Sequence, residues 1–362
     1  MANKHESWEL AQMQSLPLEA KIRMTQQRIR GWYDYWGGQV YVSFSGGKDS
    51  TVLKHIVDGM YSDVPAVYVN TGLEYPEIQS FVRNIKAGKY DCFNSDVEIL
   101  RPEMRFDEVI KNYGYPVVSK EISQKIHEGR QATKNGKIDN YATRQFNGTY
   151  VSKNGRTNAY SVEKWKFLYE SNIPVSHKCC DVMKKTPAKL YEKQTGRKPI
   201  IGTMANESKL RYSSWLKHGC NAFDKGRPTS QPLSFWTEQD IYHYIKKYNV
   251  PYCSVYGDIV IKQKVDGENI LEGQMNMIDY LGCYTEEDQL TTTGCDRTGC
   301  IFCMFGCHLE QQPNRFQKLK ETHPRQYEYC INGGEYNEDG KWQPSKEGLG
   351  LGKVLDYIGV KY

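Results

Sequence analysis

Three groups of residues in this chain have the types and spacing to do chemistry. The first is Ser45-Gly46-Gly47-Lys48-Asp49-Ser50, set between the apolar run Val40–Phe44 and the segment Thr51–Val57. Strand, glycine turn and helix start in that order make an anion site. Glycines let backbone N–H groups approach an oxyanion, and the helix N-terminus adds partial positive charge. Lys48 and the hydroxyls of Ser45 and Ser50 add donors, and Ser43 stands just before the loop on the strand. The loop is not a Walker A element, which needs a glycine where this chain has Val42.

The second group is Cys179-Cys180 together with Cys295-x4-Cys300-x2-Cys303-x3-Cys307. Thiolates two residues apart can share one metal centre without straining the turn. Read locally, Cys295, Cys300, Cys303 and Cys307 suffice for tetrahedral zinc or for an iron-sulfur site with ferredoxin-like spacing. Cys92, Cys220, Cys253, Cys283 and Cys330 lack partners in sequence and read as buried apolar fillers. His177, Lys178, Arg297 and His308 either tune the cysteine centre or are plain loop residues. The third group is Glu207-Ser208-Lys209-x-Arg211. Arg211 offers a planar fork for phosphate or sulfate and Lys209 a point charge, the competing reading being a solvated surface cluster.

The elements that must position these groups alternate between strand and helix. Apolar periodicity predicts a helix over 16–36, then strands at Val40–Phe44, Val64–Asn70, Val97–Leu100 and Lys198–Thr203. Helices are expected over Phe106–Tyr113, from Ser119 to about Gln131, over 182–193, and over Thr237–Tyr248 with Asp240 in the capping-box position. In open parallel sheets ligands sit at the carboxyl ends of strands, so the loop at 45–50 and the turn Asn70-Thr71-Gly72 should face one crevice. The expected fold is α/β, doubly wound, with a mostly parallel sheet. Its parts are an N-terminal helical segment 1–37, a nucleotide-binding domain 38–255 with a polar insertion at 132–160, and a cysteine-rich, metal-organised unit 256–362. Gly348-Leu349-Gly350-Leu351-Gly352-Lys353 has no strand before it and reads as a turn before a short helix.

Composition narrows the class. The chain has 362 residues, a formal charge of +5 and eleven cysteines, and its mean hydropathy is −0.70. That excludes a transmembrane helix, and the N-terminus lacks the apolar core of a secretory signal, so a cytoplasmic location without membrane partners is expected. Clustered cysteines in such a protein suggest metal or redox chemistry rather than disulfides. The mild positive charge suits nucleotides.

Ser-Gly-Gly-Lys-Asp-Ser resembles the PP-loop of the ATP pyrophosphatase and phosphoadenosine phosphosulfate (PAPS) reductase superfamily. With Asn70-Thr71-Gly72, Cys179-Cys180, Glu207-Ser208-x-x-Arg211, the stretch Pro232–Thr237 and Cys300-x2-Cys303, the resemblance covers about residues 40–310. It implies an adenine nucleotide alpha hydrolase-like fold whose loop holds the β- and γ-phosphates and leaves the α-phosphorus open to attack. Lys48 and the loop amides would neutralise pyrophosphate, Asp49 would help hold Mg²⁺, and Arg211 would orient the acceptor or α-phosphate. Cys179, Cys180, Cys300 and Cys303 resemble the 4Fe-4S pattern of assimilatory adenylylsulfate reductases and DNA-phosphorothioation ATPases. Two departures matter: Met204 or Ala205 stands where the family motif has arginine, and no cysteine follows Cys330.

The resemblance therefore favours ATP α–β cleavage that adenylates an acceptor, a nucleic acid or sulfur carrier, for sulfur transfer. One alternative is a thiol-dependent reductase of PAPS or adenylylsulfate using Cys307 or Cys330. Another is a non-catalytic nucleotide-binding subunit of a nucleic-acid modification or defence complex. A homo-oligomer is compatible with each.

Overall fold

The computed structural model describes residues 3–158, 160–262 and 288–362. The chain begins with α1 (Ser7–Gln14), α2 (Leu18–Tyr35), β1 (Val40–Phe44), α3 (Lys48–Asp58), β2 (Ala66–Val69), α4 (Pro76–Lys86) and β3 (Val97–Leu100). It continues through α5 (Phe106–Tyr113), β4 (Val117–Val118), α6 (Lys120–Lys134), α7 (Tyr141–Phe146), α8 (Lys166–Glu170), a π-helical turn Asp181–Lys185 and α9 (Thr186–Thr195). Then follow β5 (Lys198–Ile201), α10 (Lys209–His218), β6 (Asn221–Ala222), β7 (Thr229–Ser230), α11 (Glu238–Lys247), β8 (Ile259–Ile261), β9 (Leu290–Thr292) and β10 (Met304–Phe305).

Six strands form the main sheet in the order β3-β2-β1-β5-β7-β6, parallel except for β6 against β7. This is the mixed α/β, mostly parallel architecture expected. The strands leave β1 in one direction through β2 and β3 and resume on its other side with β5. The order thus reverses between β1 and β5, and their carboxyl ends mark the switch-point crevice of an open α/β sheet. The hexapeptide loop ends β1 and the Glu207–Arg211 motif follows β5, so topology alone brings these two groups together.

Contacts divide the chain into two compact units. The first comprises 1–70, 74–100 and 189–298; the second comprises 71–73, 101–188 and 299–362. The helical segment expected as a separate 1–37 part belongs to the core of the first unit. Leu18, Ile22, Ile29 and Trp32 pack with Val42, Val52, Ile200 and Trp236, and buried Lys21 donates to both carboxylate oxygens of Asp240 at 2.8 Å. The expected 256–362 unit is likewise corrected. Tyr256, Ile259 and Leu290 complete that same core, and Gln239 on α11 exchanges hydrogen bonds with the Leu290 backbone.

The second unit gathers 101–188 with 299–362 instead. The polar stretch 132–160 is part of its body, because α7 buries Ala142, Gln145 and Phe146, and Phe146 stacks on Tyr169 at 4.6 Å. Arg130 on α6 donates to the carbonyls of Leu168, Tyr169, Ser171 and Ile173 at 2.6–3.1 Å, closing the loop after α8. Arg130→Met keeps the apolar stem but strands those carbonyls. We expect it to destabilise the second unit by about 3 kcal/mol and to open 166–176 to protease. Unchanged urea unfolding and cleavage would show that the loop holds itself.

Candidate nucleotide site and cysteine centre

β1 carries the chain into the loop at Ser45, and α3 begins at Lys48 with Gly47 as its N-cap. Gly46 has φ +72°, and a side chain there would approach the Ile78 and Val82 methyls to 2.9 and 3.0 Å. Only glycine fits. Hydroxyls organise the loop: Ser45 N donates to Ser50 Oγ at 3.2 Å, Gly47 N to Ser45 Oγ at 3.3 Å, and Ser50 Oγ to the Gly47 carbonyl at 2.9 Å. Among the described residues the amides of Gly46, Asp49 and Ser50 have no partner, which leaves the start of α3 an electropositive nest.

Two of the residues expected here take other positions. Lys48 is buried, and its ammonium meets Glu238 Oε1 and the Asp296 carbonyl, each at 2.9 Å. In this arrangement its charge is matched inside the protein, and the loop amides supply the donors of the nest. Lys209 is exposed as the first residue of α10, while Ser208 caps that helix by accepting from Arg211 N at 3.3 Å. Asn70 directly follows β2 within the first unit, and Thr71 and Gly72 belong to the second, where Thr71 Oγ1 accepts from Leu73 N. Ser43 lies on β1, in register with Val67 and Ile201.

Asp49 has the chemistry of a ligand. Its Oδ1 is buried without a hydrogen-bond partner, and burial raises its carboxyl above the ordinary carboxylate range, opposed first by Lys48 and then by Arg297 and Arg211. A buried oxygen with lone pairs to give fits Mg²⁺, a hard cation that takes one or two carboxylates plus phosphate oxygens.

Sequence reasoning missed Tyr256, Thr298 and Glu238 and left Arg297 undecided. Tyr256 OH accepts from Lys48 N at 3.1 Å and pairs with Thr298 Oγ1 at 2.7 Å. Arg297 Nη2 donates to Glu207 Oε1 at 2.6 Å, and Arg211 binds the other oxygen of the same carboxylate. No spacing rule marks Tyr256. The cysteines around 295–303 drew attention to metal, although residues 295–298 pack with the nucleotide loop.

The second unit contains Cys179, Cys180, Cys300 and Cys303. Cys179 Sγ lies 3.9 Å from Cys180 Sγ, and Cys180, Cys303 and Cys300 all push the Cys179 thiol up. Cys180 is held below the usual thiol range, first by the hydrogen bond from Cys179 and then by Lys120 and Lys184. Burial raises Cys303, with Arg315 and Lys184 opposing. The loop is pinned at both ends: Ile301 N donates to the Leu73 carbonyl and Gly306 N to the Val118 carbonyl, each at 2.8 Å. Val118 itself sits at φ +64°, a strained conformation for a β-branched residue. His308 packs edge-on against Trp165, and His177 against His127.

The other cysteines stand apart. Cys295 belongs to the first unit and its thiol donates to the Arg297 carbonyl at 2.9 Å. Cys307 donates to the Met304 carbonyl, and burial pushes it up to about 12. Cys330 is wholly buried, and burial raises its thiol well above the ordinary value; Cys220 and Cys253 are buried as expected. Cys92 is exposed, contrary to expectation, because it sits in the loop between α4 and β3 rather than on an apolar face. Cys283 lies outside the described residues. Among the described residues no three His, Cys, Asp or Glu side chains are arranged around a single ion.

The family model of the phosphoadenosine phosphosulfate reductase domain matches residues 39–143 and 137–304, well over half of the chain. The chain belongs to that family. PAPS reductase family membership covers both the loop and the Cys300–Cys303 pair. An adenosine 5'-phosphosulfate reductase from Geobacillus kaustophilus is 22% identical over 251 residues, 68% of this chain and 80% of that protein. A crystal structure of PAPS reductase from Candida auris, a phosphate complex, covers 70% of this chain and 92% of its own at 14% identity, with a TM-score of 0.36. Among the described residues no helix is long and apolar enough to cross a membrane.

Proposed function

We propose that this PAPS reductase-family protein binds ATP at the loop after β1 and adenylates an acceptor. The acceptor's nucleophile attacks the α-phosphorus, the α–β P–O bond breaks, pyrophosphate leaves, and the acceptor's proton passes to solvent. The amides of Gly46, Asp49 and Ser50 hold the pyrophosphate oxygens as charge develops on them. Arg211 orients the α-phosphate, and Asp49 would hold Mg²⁺, which when bound neutralises the phosphate tail. Cys179, Cys180, Cys300 and Cys303 would hold a 4Fe-4S cluster, which supplies a sulfur-handling or electron-handling centre. Sulfur transfer to a nucleic acid or a sulfur carrier is the chemistry this adenylation would serve.

One observation carries the choice over reduction: Cys307 and Cys330, the thiols expected to attack a sulfonucleotide, are both buried, and burial raises both above the ordinary thiol range. A thiolate is needed for that attack. A second reading keeps one foothold, since half-buried Cys295 precedes Arg297 and Thr298 beside the loop, and the Geobacillus kaustophilus relative is named an adenosine 5'-phosphosulfate reductase.

The test gives anaerobically purified protein labelled ATP and labelled adenylylsulfate in turn. AMP and pyrophosphate from ATP, with water standing in for the acceptor, is the expected outcome. Sulfite from adenylylsulfate, abolished by Cys295→Ser, would replace it with the reductase. Tight ATP uptake without products would make the protein a nucleotide-binding subunit.

A further inference from the structure

Glu207 is a carboxylate that accepts from one backbone amide and two guanidinium groups. Its Oε2 accepts from Met204 N at 2.9 Å and from Arg211, and its Oε1 accepts from Arg297 Nη2 at 2.6 Å. One anion thus holds two guanidinium groups. The hydrogen bond to the backbone fixes the carboxylate, so the arginines are anchored rather than drifting. Both influence Asp49 at the start of α3. Arg211 is partly desolvated, which lowers its hold on its proton, and Arg297 adds to that effect. Two cations held side by side on one carboxylate can share a further oxyanion through their remaining donors.

Arg297 reaches this position because its segment is fastened to the loop. Lys48 Nζ donates to the Asp296 carbonyl at 2.9 Å, Thr298 Oγ1 pairs with Tyr256 OH at 2.7 Å, and Cys295 N donates to the Val255 carbonyl at 3.0 Å. Among the described residues Arg297 gives one hydrogen bond through its side chain, so the remaining donors of its fork are available.

We propose that Arg297 is a substrate-binding residue that closes, with Arg211, a two-arginine fork on a tetrahedral oxyanion of the nucleotide, and that Glu207 is the positioning residue for both. The inference rests on nucleotide binding at the loop. The oxyanion is a phosphate of ATP or the sulfate of adenylylsulfate.

Calorimetry on the full chain with ATP and with adenylylsulfate tests it. Arg297→Ala should weaken binding by about 10–100-fold, the value of a charge-assisted hydrogen bond. Arg297→Lys, which keeps charge but loses the fork, should fall between wild type and alanine. Glu207→Gln should weaken binding of the same nucleotide and reduce the salt dependence lost with Arg297→Ala by no more than that variant does. Loss for both nucleotides assigns the fork to an oxyanion they share; loss for one alone identifies its source. Wild-type binding with Arg297→Ala unchanged for both nucleotides would overturn this inference and leave the proposed function standing. No wild-type uptake of either nucleotide would overturn both.

Discussion

Asp49→Asn is expected to reduce ATP turnover by about a hundredfold or more, the scale of losing a metal-positioning carboxylate, without lowering the melting temperature at pH 7.5. The stability half of this expectation follows from the buried Oδ1 that has no partner. Burial raises the folded-state pKa of Asp49, so the folded chain takes up this proton more readily than the unfolded chain does. Its contribution to stability is fully present below the unfolded carboxylate value and is lost as pH rises through the raised folded value. At neutral pH the charged side chain therefore works against folding. Asparagine keeps the shape and removes the charge. The melting temperature of Asp49→Asn relative to wild type should be higher at pH 7.5 than at pH 4. A variant that melts below wild type at pH 7.5 would mean that Asp49 already has a structural partner, and full turnover would exclude it from the chemistry.

Much of the candidate site's local geometry was legible because its signal is local. A strand, two glycines and a helix start occupy consecutive positions, and backbone geometry follows from residue type: Gly46 adopts φ +72° as a glycine turn should. The Thr237 cap with Asp240 at its third position formed as a capping box, and Pro76 opens α4. What failed depended on contacts far apart in sequence. The sequence gives no sign that Glu238 and Asp296 come within 2.9 Å of Lys48. Cys295 shares a spacing pattern with Cys300, yet packs with the nucleotide unit because Tyr256 and Thr298 draw its segment toward α3. Unit boundaries were misplaced for the same reason. The change in composition near 256 is real, but Tyr256, Ile259 and Leu290 are apolar groups needed by an existing core, and composition does not say which core a segment completes.

Serine at Cys180 or Cys303 is expected to cut bound iron from about four per chain to below one, whereas serine at Cys295 or Cys307 should leave it unchanged. The distinction rests on placement. Cys179, Cys180, Cys300 and Cys303 lie in one unit and perturb one another's titration. Lys120, Lys184 and Arg315 stand around them and favour the thiolate form that binds metal. Arg315 is itself fixed by Glu310 and donates to the Cys303 carbonyl at 3.0 Å, so the positive charge is held in place. Cys307 has its thiol committed to the Met304 carbonyl, and burial opposes its ionisation. Iron and acid-labile sulfide measured on anaerobic protein decide the matter. Iron lost with Cys295→Ser and Cys307→Ser but kept with Cys180→Ser would move the centre to the local set, and one zinc per chain without sulfide would replace the cluster with a single ion. The four-thiol arrangement predicts neither, because it joins an adjacent cysteine pair at the head of a π-helical turn to a pair more than a hundred residues away, and only a centre bridging both would give cysteines at those two places a common purpose.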